Sequence, residues 1–457
     1  MKNYLKHTLW LAILVPAALV GLGELPPVVV GGYALRQVDV LGDVRRAAIE
    51  EVVVVPDSLP PLPVVKPAFV DTCKTGMTCI EDYSDSTLRG MTLFYEAIGG
   101  MDTLDRPVRI AFFGDSFIEA DIFTADLRGL LQERFGGCGV GLVNITSATS
   151  GFRPTVRHAF RGWKTHAVTD SLGFEYKKQG INGHYFIPSP GAYVDLSGQT
   201  EYASRLDTCD QSTIYFYSKG GLDLAARVNK AQEFEESFDA SDALQQMSVC
   251  GRIGSVRWRV GRAKGAVFFG AAMDGLRGVT VDNLSLRSSS GLSLRYIPEK
   301  TLRDFNALRP YDLIVLQYGL NVLTHGGRNY SSYCRGMALS IERLKACFPQ
   351  AGVLLLSVGD RDHKSGTGEI RTMPGVKELV RYQQGLAAET HIAFWNLFEA
   401  MGGEGSMARL VKARPAMANY DYTHINFKGG NYLAGLFYET LIYGKDQYDR
   451  RRAYENE

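Results

Sequence analysis

Apolar runs alternate with amphipathic helical patterns in two separate parts of the chain. In the first part, the run 108–111 precedes a helical pattern over about 119–134 whose apolar residues recur on one face: Ala120, Phe123, Leu127, Leu130 and Leu131. In the second part, strands are predicted at 311–318, 352–358 and 392–396, with helices at about 331–347 and 376–390. This alternation predicts a parallel sheet covered on both faces, with active residues at the carboxyl ends of its strands.

The stretch 147–278, between these two parts, has a different pattern. Short runs rich in β-branched and aromatic residues are separated by Gly, Asp and Ser, which predicts an antiparallel β-sandwich inserted into the α/β domain. Burial preferences place its aromatic residues in a core. The functional alternative is a sugar-stacking platform built from Tyr193, Tyr215, Phe216, Tyr217, Trp258, Phe268 and Phe269.

The N-terminal segment begins with basic residues and continues with an uncharged apolar run over 9–23. That run is long for the core of a signal peptide and short for a membrane span. We expect residues 1–31 to form a signal peptide or a membrane anchor. The rest of the chain is then expected to be exported, to the periplasm or held at the inner membrane, and to touch the membrane only through this segment.

Residues 32–105 are predicted to form a linker and helical region. It contains a helical pattern at 39–53, a proline-rich connector at 56–63 that favours an extended spacer, and a second helical pattern at 82–99. The α/β domain is then expected to comprise a first part at 106–146 and a second part at 279–457, on either side of the insertion.

Composition narrows the possible partners and cofactors. The 457 residues include 50 Lys and Arg against 49 Asp and Glu, a formal charge of +1, so no net charge attracts nucleic acid. Of the seven cysteines, Cys73 and Cys79 are expected to form a local disulfide, and Cys209 with Cys250 is a candidate second one. No Cys or His cluster has zinc-ligand spacing, so the sequence predicts no metal and no cofactor.

The first apolar run ends in Gly114-Asp115-Ser116 and leads into a helix. A serine in such a turn is exposed at the end of a sheet, where backbone N–H groups can hold an oxyanion. The alternative is that Gly-Asp-Ser only makes the turn and caps the helix, with Asp115 as a turn residue.

A second group of polar residues lies some three hundred positions further on. Asp421 and His424 fall in one loop just before a helical pattern, so a single loop could deliver a general base and its orienting carboxylate. The predicted strand at 311–318 ends in Gly319-Leu320-Asn321, which could present the Asn321 amide to an oxyanion. His325 and His363 are further candidates for substrate contact, although polar loop residues are usually only solvated.

These three motifs, in this order, resemble those of the SGNH, or GDSL-type, hydrolases. The resemblance covers about 106–135 and 279–445 and implies a flavodoxin-like three-layer α/β domain. It also implies Ser116 as the nucleophile, His424 as the general base and Asp421 as its orienting residue, with the Ser116 amide and Asn321 in the oxyanion hole.

The position of the inserted β module resembles that in peptidoglycan O-acetylesterases and related enzymes that transfer acetyl groups on bacterial polysaccharides, where it resembles a carbohydrate-binding module. In that group, a glycine after the following strand completes the oxyanion hole with its N–H. Ser288 occupies the corresponding position here. A backbone donor needs glycine only if the turn requires a positive φ.

The resemblance therefore predicts an exported esterase that removes O-acetyl groups from a cell-envelope or other polysaccharide through an acyl-serine intermediate. One alternative is a polysaccharide or peptidoglycan O-acetyltransferase that uses the same triad beside a membrane acetyl-transfer protein. The other is a non-catalytic glycan-binding protein.

Overall fold

The structure, a computed structural model, describes residues 4–23, 29–30, 33–34, 69–170, 173–366 and 368–456. The chain divides into two units, 1–68 and 69–457. In the first unit, helix α1 spans Leu5–Gly23, and strands β1 (Val29–Val30) and β2 (Tyr33–Ala34) pair antiparallel. Among the described residues, no helix combines the length and apolar character needed to cross a bilayer. The predicted helix at 39–53 and the proline-rich connector lie outside the described residues.

The second unit contains an α/β domain and an inserted β module. Before the insertion, the α/β domain consists of β3 (Glu81–Asp82), α2 (Thr92–Gly99), β4 (Val108–Gly114) and α3 (Thr124–Phe135). The described residues of the insertion form nine strands: β5 (Gly141–Val143), β6 (Arg157–Ala167), β7 (His184–Ser197), β8 (Cys209–Ser218), β9 (Leu222–Val228), β10 (Phe234–Phe238), β11 (Ser241–Ile253), β12 (Ser255–Ala263) and β13 (Ala266–Asp274).

The chain then returns to the α/β domain. Its elements are β14 (Val279–Ser285), α4 (Glu299–Leu308), β15 (Leu313–Gln317), α5 (Ser331–Cys347), β16 (Gly352–Leu356), β17 (Asp362–Lys364), β18 (Ile370–Thr372), α6 (Gly375–Glu389), β19 (Ala393–Trp395), α7 (Leu397–Ala400), α8 (Ser406–Lys412) and α9 (Phe427–Asn456). Strands β17 and β18 form a separate antiparallel pair.

The central sheet has the order β14-β4-β15-β16-β19-β3. Its first five strands are parallel, and β3 pairs antiparallel with β19 at the edge. Strands β4, β15 and β16 are buried along their whole length, as expected for a parallel sheet covered by helices. The α/β architecture expected from the alternating pattern is therefore confirmed.

The inserted module is antiparallel throughout, and side chains that alternate along its strands form its hydrophobic core. In β12, Val256, Trp258 and Val260 are buried, while the arginines between them are partly exposed. Five of the seven aromatic residues considered as a sugar platform are buried: Tyr215, Phe216, Trp258, Phe268 and Phe269. Those five therefore cannot stack against a glycan.

A buried ionic network fixes the module to the α/β domain. Arg309, after α4, contacts Asp274 at the end of β13 over 2.5 Å and Asp282 in β14 over 2.7 Å. Asp282 also accepts a hydrogen bond from the backbone N–H of Leu142 in β5, over 2.8 Å. Because β5 pairs with β13, the inserted sheet begins at 141, ahead of the expected boundary at 147.

Three predictions need correction. The helix expected over 82–99 covers only Thr92–Gly99, and Glu81–Asp82 form strand β3 instead. The helix expected from about 119 begins at Thr124, because Ala120 and Asp121 adopt left-handed φ angles of 55° and 66° and break the helical path. The Cys73–Cys79 disulfide is present, but Cys209 and Cys250 are free thiols. Cys250 lies opposite Gln211 and Cys209 opposite Ile253, with an irregularity in register between them, so the two thiols do not face each other.

Candidate active site

The candidate nucleophile, Ser116, is half-buried in the turn that follows β4. Gly114 ends that strand, where a Cβ atom would lie 3.0 Å from the carbonyl oxygen of Gln317 and 2.7 Å from the Ile118 side chain. Glycine thus allows the neighbouring strand β15 to approach closely. Asp115 and Phe117 on either side are fully buried, so the serine hydroxyl projects from a rigid turn at the carboxyl edge of the sheet.

Ser116, His424 and Asp421 form a hydrogen-bonded relay. His424 Nδ1 lies 2.7 Å from Asp421 Oδ2, and His424 Nε2 lies 2.9 Å from Ser116 Oγ. An ionised carboxylate only accepts hydrogen bonds, so Nδ1 carries the proton and Nε2 is left to accept the serine O–H. This is the arrangement in which a histidine acts as general base toward a serine.

Asp421 is held in its ionised state by its own loop. Partial burial opposes ionisation, but hydrogen bonds from the His424 ring and from the backbone N–H groups of His424 and Thr423 outweigh it and lower the pKa of Asp421. The same bonds fix the turn that carries His424. The Asp-x-x-His spacing therefore both positions His424 and keeps Asp421 ionised.

Helix α9 positions this loop through close backbone packing. A Cβ atom on Gly430 would lie only 1.6 Å from the carbonyl oxygen of Ile122, and one on Gly429 would lie 2.1 Å from that of Met417. The first turn of α9 therefore contacts the segment after the nucleophile directly. This contact explains how a loop some three hundred residues away reaches Ser116.

Asn321 lies beside the nucleophile turn with an exposed side chain. Its Nδ2 donates to Asp115 Oδ2 over 3.2 Å and to the carbonyl oxygen of Ser289 over 2.9 Å. Both amide hydrogens thus have protein acceptors, and one must exchange its acceptor to reach an oxyanion. The oxyanion role of Asn321 stays a prediction.

Asp115 is fully buried beneath the site and accepts a hydrogen bond from the Phe117 N–H over 2.9 Å. Burial raises the pKa of Asp115 to about 6, although His424 and the Phe117 and Asn321 donors favour the charged form. Sequence reasoning treated Asp115 as a turn residue and did not foresee its bond to Asn321. The Ser289 carbonyl was likewise missed, and no sequence signal identified it.

Ser288 follows β14 on the same edge of the sheet as the nucleophile turn, and the N–H of nearby Leu286 donates to the Gly114 carbonyl over 2.9 Å. The φ angle of Ser288 is 62°, in the left-handed region that glycine adopts most easily. The turn therefore does require a positive φ, and serine adopts it here. Ser288 is exposed. The oxyanion contact of its N–H stays a prediction.

The two further candidates for substrate contact, His325 and His363, lie near each other. The rings of His325 and His363 are 4.6 Å apart, edge to face. The N–H of Asp362 donates to the Tyr422 carbonyl over 3.0 Å, which ties the His363 segment to the loop that carries Asp421 and His424. In the part of the chain that the structure describes, no group of three His, Cys, Asp or Glu side chains is arranged to hold a metal ion.

Comparison with solved structures finds proteins of similar fold. The chain is similar to a peptidoglycan O-acetylesterase, with a TM-score of 0.65 and 17% identity over 80% of this chain and 99% of that one. Weaker similarities include a family two carbohydrate esterase from Cellvibrio japonicus (TM-score 0.21, 11% identity, 52% of this chain and 88% of that one). Another is a protein described as a GDSL-like lipase from Parabacteroides merdae (TM-score 0.28, 18% identity, 36% and 74%).

No protein-family model matches the sequence, and no curated protein sequence matches it. The structural similarity therefore concerns the fold alone, an α/β domain with an added antiparallel β module. The fold expected from the resemblance, an α/β domain with a parallel sheet and an inserted antiparallel module, is confirmed. The peptidoglycan O-acetylesterase fold accounts for the α/β domain and the module together, since the match covers 80% of this chain.

Proposed function

We propose that this protein is a serine esterase that removes O-acetyl groups from a polysaccharide of the cell envelope, such as peptidoglycan. The observation that carries the proposal is the relay from Asp421 through His424 to Ser116, with distances of 2.7 Å and 2.9 Å. Similarity to the fold of a peptidoglycan O-acetylesterase supports the substrate class.

In the first half-reaction, Ser116 Oγ attacks the acetyl carbonyl carbon while His424 Nε2 takes the hydroxyl proton. The oxyanion is stabilised by the N–H of Ser116, by Asn321 and by the N–H of Ser288, each donor contributing about 3 kcal/mol. The bond between the acetyl carbon and the sugar oxygen then breaks, and His424 returns the proton to that oxygen. Water repeats the sequence on the acetyl-serine and releases acetate.

Acetate release tests this proposal. The full chain is incubated with acetylated peptidoglycan and with acetylated xylan, and a His424→Ala variant serves as the comparison. We expect release that His424→Ala reduces by a factor of about 10³ or more, since the serine then lacks its base. Release that is unchanged in His424→Ala would contradict the mechanism, and the relative rates would rank the two substrates.

A second candidate function is O-acetyl transfer, in which a sugar hydroxyl replaces water as the acceptor. The uncharged run at 9–23 favours it, because an anchor would hold the domain beside a membrane acetyl donor. Transfer of acetate to an acceptor glycan from a supplied donor ester would distinguish it from hydrolysis. Glycan binding without turnover of any ester would instead support a binding protein.

A further inference from the structure

Three consecutive residues, Arg361, Asp362 and His363, connect two loops of the candidate active site. They lie between β16 and the end of β17, and none of the three sequence motifs contains them. Each of the three contacts a loop that carries a candidate site residue. We call this segment the 361–363 clamp.

Two residues of the clamp contact the loop that carries Asn321. Arg361 Nη1 donates to the carbonyl oxygen of Leu320 over 3.2 Å, and Leu320 directly precedes Asn321. The ring of His363 lies 4.6 Å from that of His325, edge to face, and His325 belongs to the same loop. The position of this loop therefore depends on groups outside it.

The backbone of Leu320 is held from both sides. Its N–H group donates to the carboxylate of Asp115, and its carbonyl oxygen accepts the hydrogen bond from Arg361. Asp115 directly precedes Ser116 and also accepts a hydrogen bond from the Asn321 side chain, over 3.2 Å. A chain of contacts thus runs from Arg361 through Leu320 to the turn of the proposed nucleophile.

The clamp also contacts the loop that carries Asp421 and His424. The N–H of Asp362 donates to the carbonyl oxygen of Tyr422 over 3.0 Å, and Tyr422 lies between those two residues in the chain. The φ angle of Tyr422 is 54°, a left-handed conformation that is costly for a large side chain and persists only where surrounding contacts maintain it. The hydrogen bond from Asp362 is one of these contacts.

The clamp is itself anchored in the interior of the α/β domain. The carboxylates of Asp360 and Asp362 are buried and accept the backbone N–H groups of Met407 and Ala408, over 3.0 Å and 2.7 Å, in the first turn of α8. Arg361, between these two carboxylates, extends instead to the Gly-Leu-Asn turn. A support fixed to a packed helix therefore holds both loops.

Such support matters for the oxyanion role predicted for Asn321. Its Nδ2 donates to Asp115 and to the Ser289 carbonyl, over 3.2 Å and 2.9 Å, so one of these bonds must be released when an oxyanion forms. A donor stabilises an oxyanion only if it is held at hydrogen-bond distance from the developing charge. By fixing the carbonyl just before Asn321, Arg361 limits this exchange to the side chain.

We propose that Arg361 is a positioning residue, which holds the Asn321 turn in place relative to the His424 loop so that the Asn321 amide reaches the oxyanion formed at Ser116. Arg361 acts through the Leu320 carbonyl and needs no contact with the substrate. The inference rests on the proposed function and adds a residue to the site.

Turnover of 4-nitrophenyl acetate by the full chain tests this role. Arg361→Met keeps the aliphatic part of the side chain and removes the hydrogen-bond donors. We expect kcat to fall by roughly 10–100-fold while KM stays within about twofold, because a misplaced donor weakens transition-state stabilisation and not substrate binding. Arg361→Lys should recover most of the loss, since a single carbonyl needs only one donor. An unchanged kcat in Arg361→Met would overturn the proposal.

Arg371→Ala is the matched control. Arg371 lies on β18 of the same hairpin, opposite His363, but its side chain is 68% exposed and pairs with Glu369. Its kcat should stay within about twofold of the wild-type value, as for most surface substitutions. Equal losses in Arg371→Ala and Arg361→Met would overturn the specific role of Arg361.

A double-mutant cycle separates positioning of Asn321 from a general structural effect. Asn321→Ala alone is expected to lower kcat. In that background Arg361→Met should change kcat by less than about twofold, because the donor that Arg361 positions is absent. Losses that multiply in the double variant would overturn the coupling. If thermal unfolding shows that Arg361→Met does not fold, Arg361→Gln takes its place in the same cycle.

The outcomes also separate this inference from the esterase mechanism. Wild-type turnover that Asn321→Ala leaves unchanged would overturn the inference, while the relay of Asp421, His424 and Ser116 would stand. No turnover of any ester by the wild type would overturn the proposed function and the inference with it.

Discussion

The side-chain amide of Asn321 donates to the carboxylate of Asp115 over 3.2 Å, and Asp115 directly precedes the proposed nucleophile, Ser116. Asp115 also accepts the N–H of Phe117, on the other side of Ser116. One buried carboxylate therefore fixes both the nucleophile turn and a candidate oxyanion donor. Asp115 acts as a positioning residue, since its hydrogen bonds go to groups that hold the site.

The stability of the protein should depend on the ionisation of Asp115. Its pKa is about 6 in the folded state and about 3.9 in an unfolded chain, so the folded state binds more protons between these values. The contribution of Asp115 to the unfolding free energy is therefore fully present below pH 4. It is lost as the pH rises through about 6, which lowers the unfolding free energy by about 3 kcal/mol. Asp115→Asn should lose this dependence.

Urea unfolding at pH 4.5 and at pH 7.5 measures the effect. The unfolding free energy of Asp115→Asn, relative to that of the wild type, is expected to be higher at pH 7.5 than at pH 4.5. Comparing the two proteins cancels the contribution of other carboxylates, such as Asp362, whose pKa burial and nearby Asp360 also raise to about 6. Parallel pH profiles would show that Asp115 does not titrate in this window.

Asp421→Asn should impair catalysis while leaving the loop folded. The asparagine oxygen can still accept the N–H groups of Thr423 and His424, but its amide would donate to His424 Nδ1 and move the ring proton to Nε2. Nε2 then cannot accept the Ser116 proton, so kcat should fall by roughly 10³–10⁴. Ester hydrolysis kinetics and thermal unfolding check this. A variant with near-normal kcat would contradict the tautomer assigned to His424.

Gly430→Ala should disrupt the packing that brings His424 to Ser116. The added Cβ would lie 1.6 Å from the backbone oxygen of Ile122, and no side-chain rotation can relieve that contact. We expect a loss of at least about 3 kcal/mol in unfolding free energy, with loss of activity. Gly435→Ala is the control on the same helix, with no atom within 4 Å of the new Cβ, and should stabilise by about 0.5–1 kcal/mol. Equal effects of the two changes would refute the packing argument.

Ser288→Gly should stabilise the protein by up to about 1 kcal/mol, because φ at 288 is 62° and glycine adopts that region without steric cost. Activity should persist, since only the backbone N–H is assigned a role. Ser290→Gly, at a neighbouring serine without a positive φ, should destabilise. Chemical denaturation and ester hydrolysis measure both. A marked loss of activity in Ser288→Gly would instead assign the hydroxyl a role.

The sequence predicted which residues meet at the candidate site better than it predicted the contacts that support them. Strand and helix periodicity located β4, β15 and β16, and the Asp-x-x-His spacing identified a loop that does reach Ser116. The start of α3 was misplaced because the left-handed conformations of Ala120 and Asp121 depend on tertiary contacts of Asp121 with Arg128 and Arg153. Periodicity carries no information on such contacts.

Long-range contacts also explain the other differences. A Cys209–Cys250 disulfide is compatible with the sequence, but strand register decides which side chains face each other, and these two do not. The Asn321–Asp115 contact joins residues far apart in the chain, and no local pattern specifies it. The aromatic residues singled out in the β module are mostly core, because strand register and packing decide which of them are buried.

The most direct test of the central claim is to observe the acetyl group on Ser116. The full chain is quenched during turnover of acetylated peptidoglycan and of 4-nitrophenyl acetate, and its peptides are analysed by mass spectrometry alongside those of Ser116→Ala. The account predicts an acetylated Ser116 peptide in the wild type and acetate release that falls to background in the variant. Acetate release that continues at the wild-type rate in Ser116→Ala, with no acetyl-serine in the wild type, would contradict it.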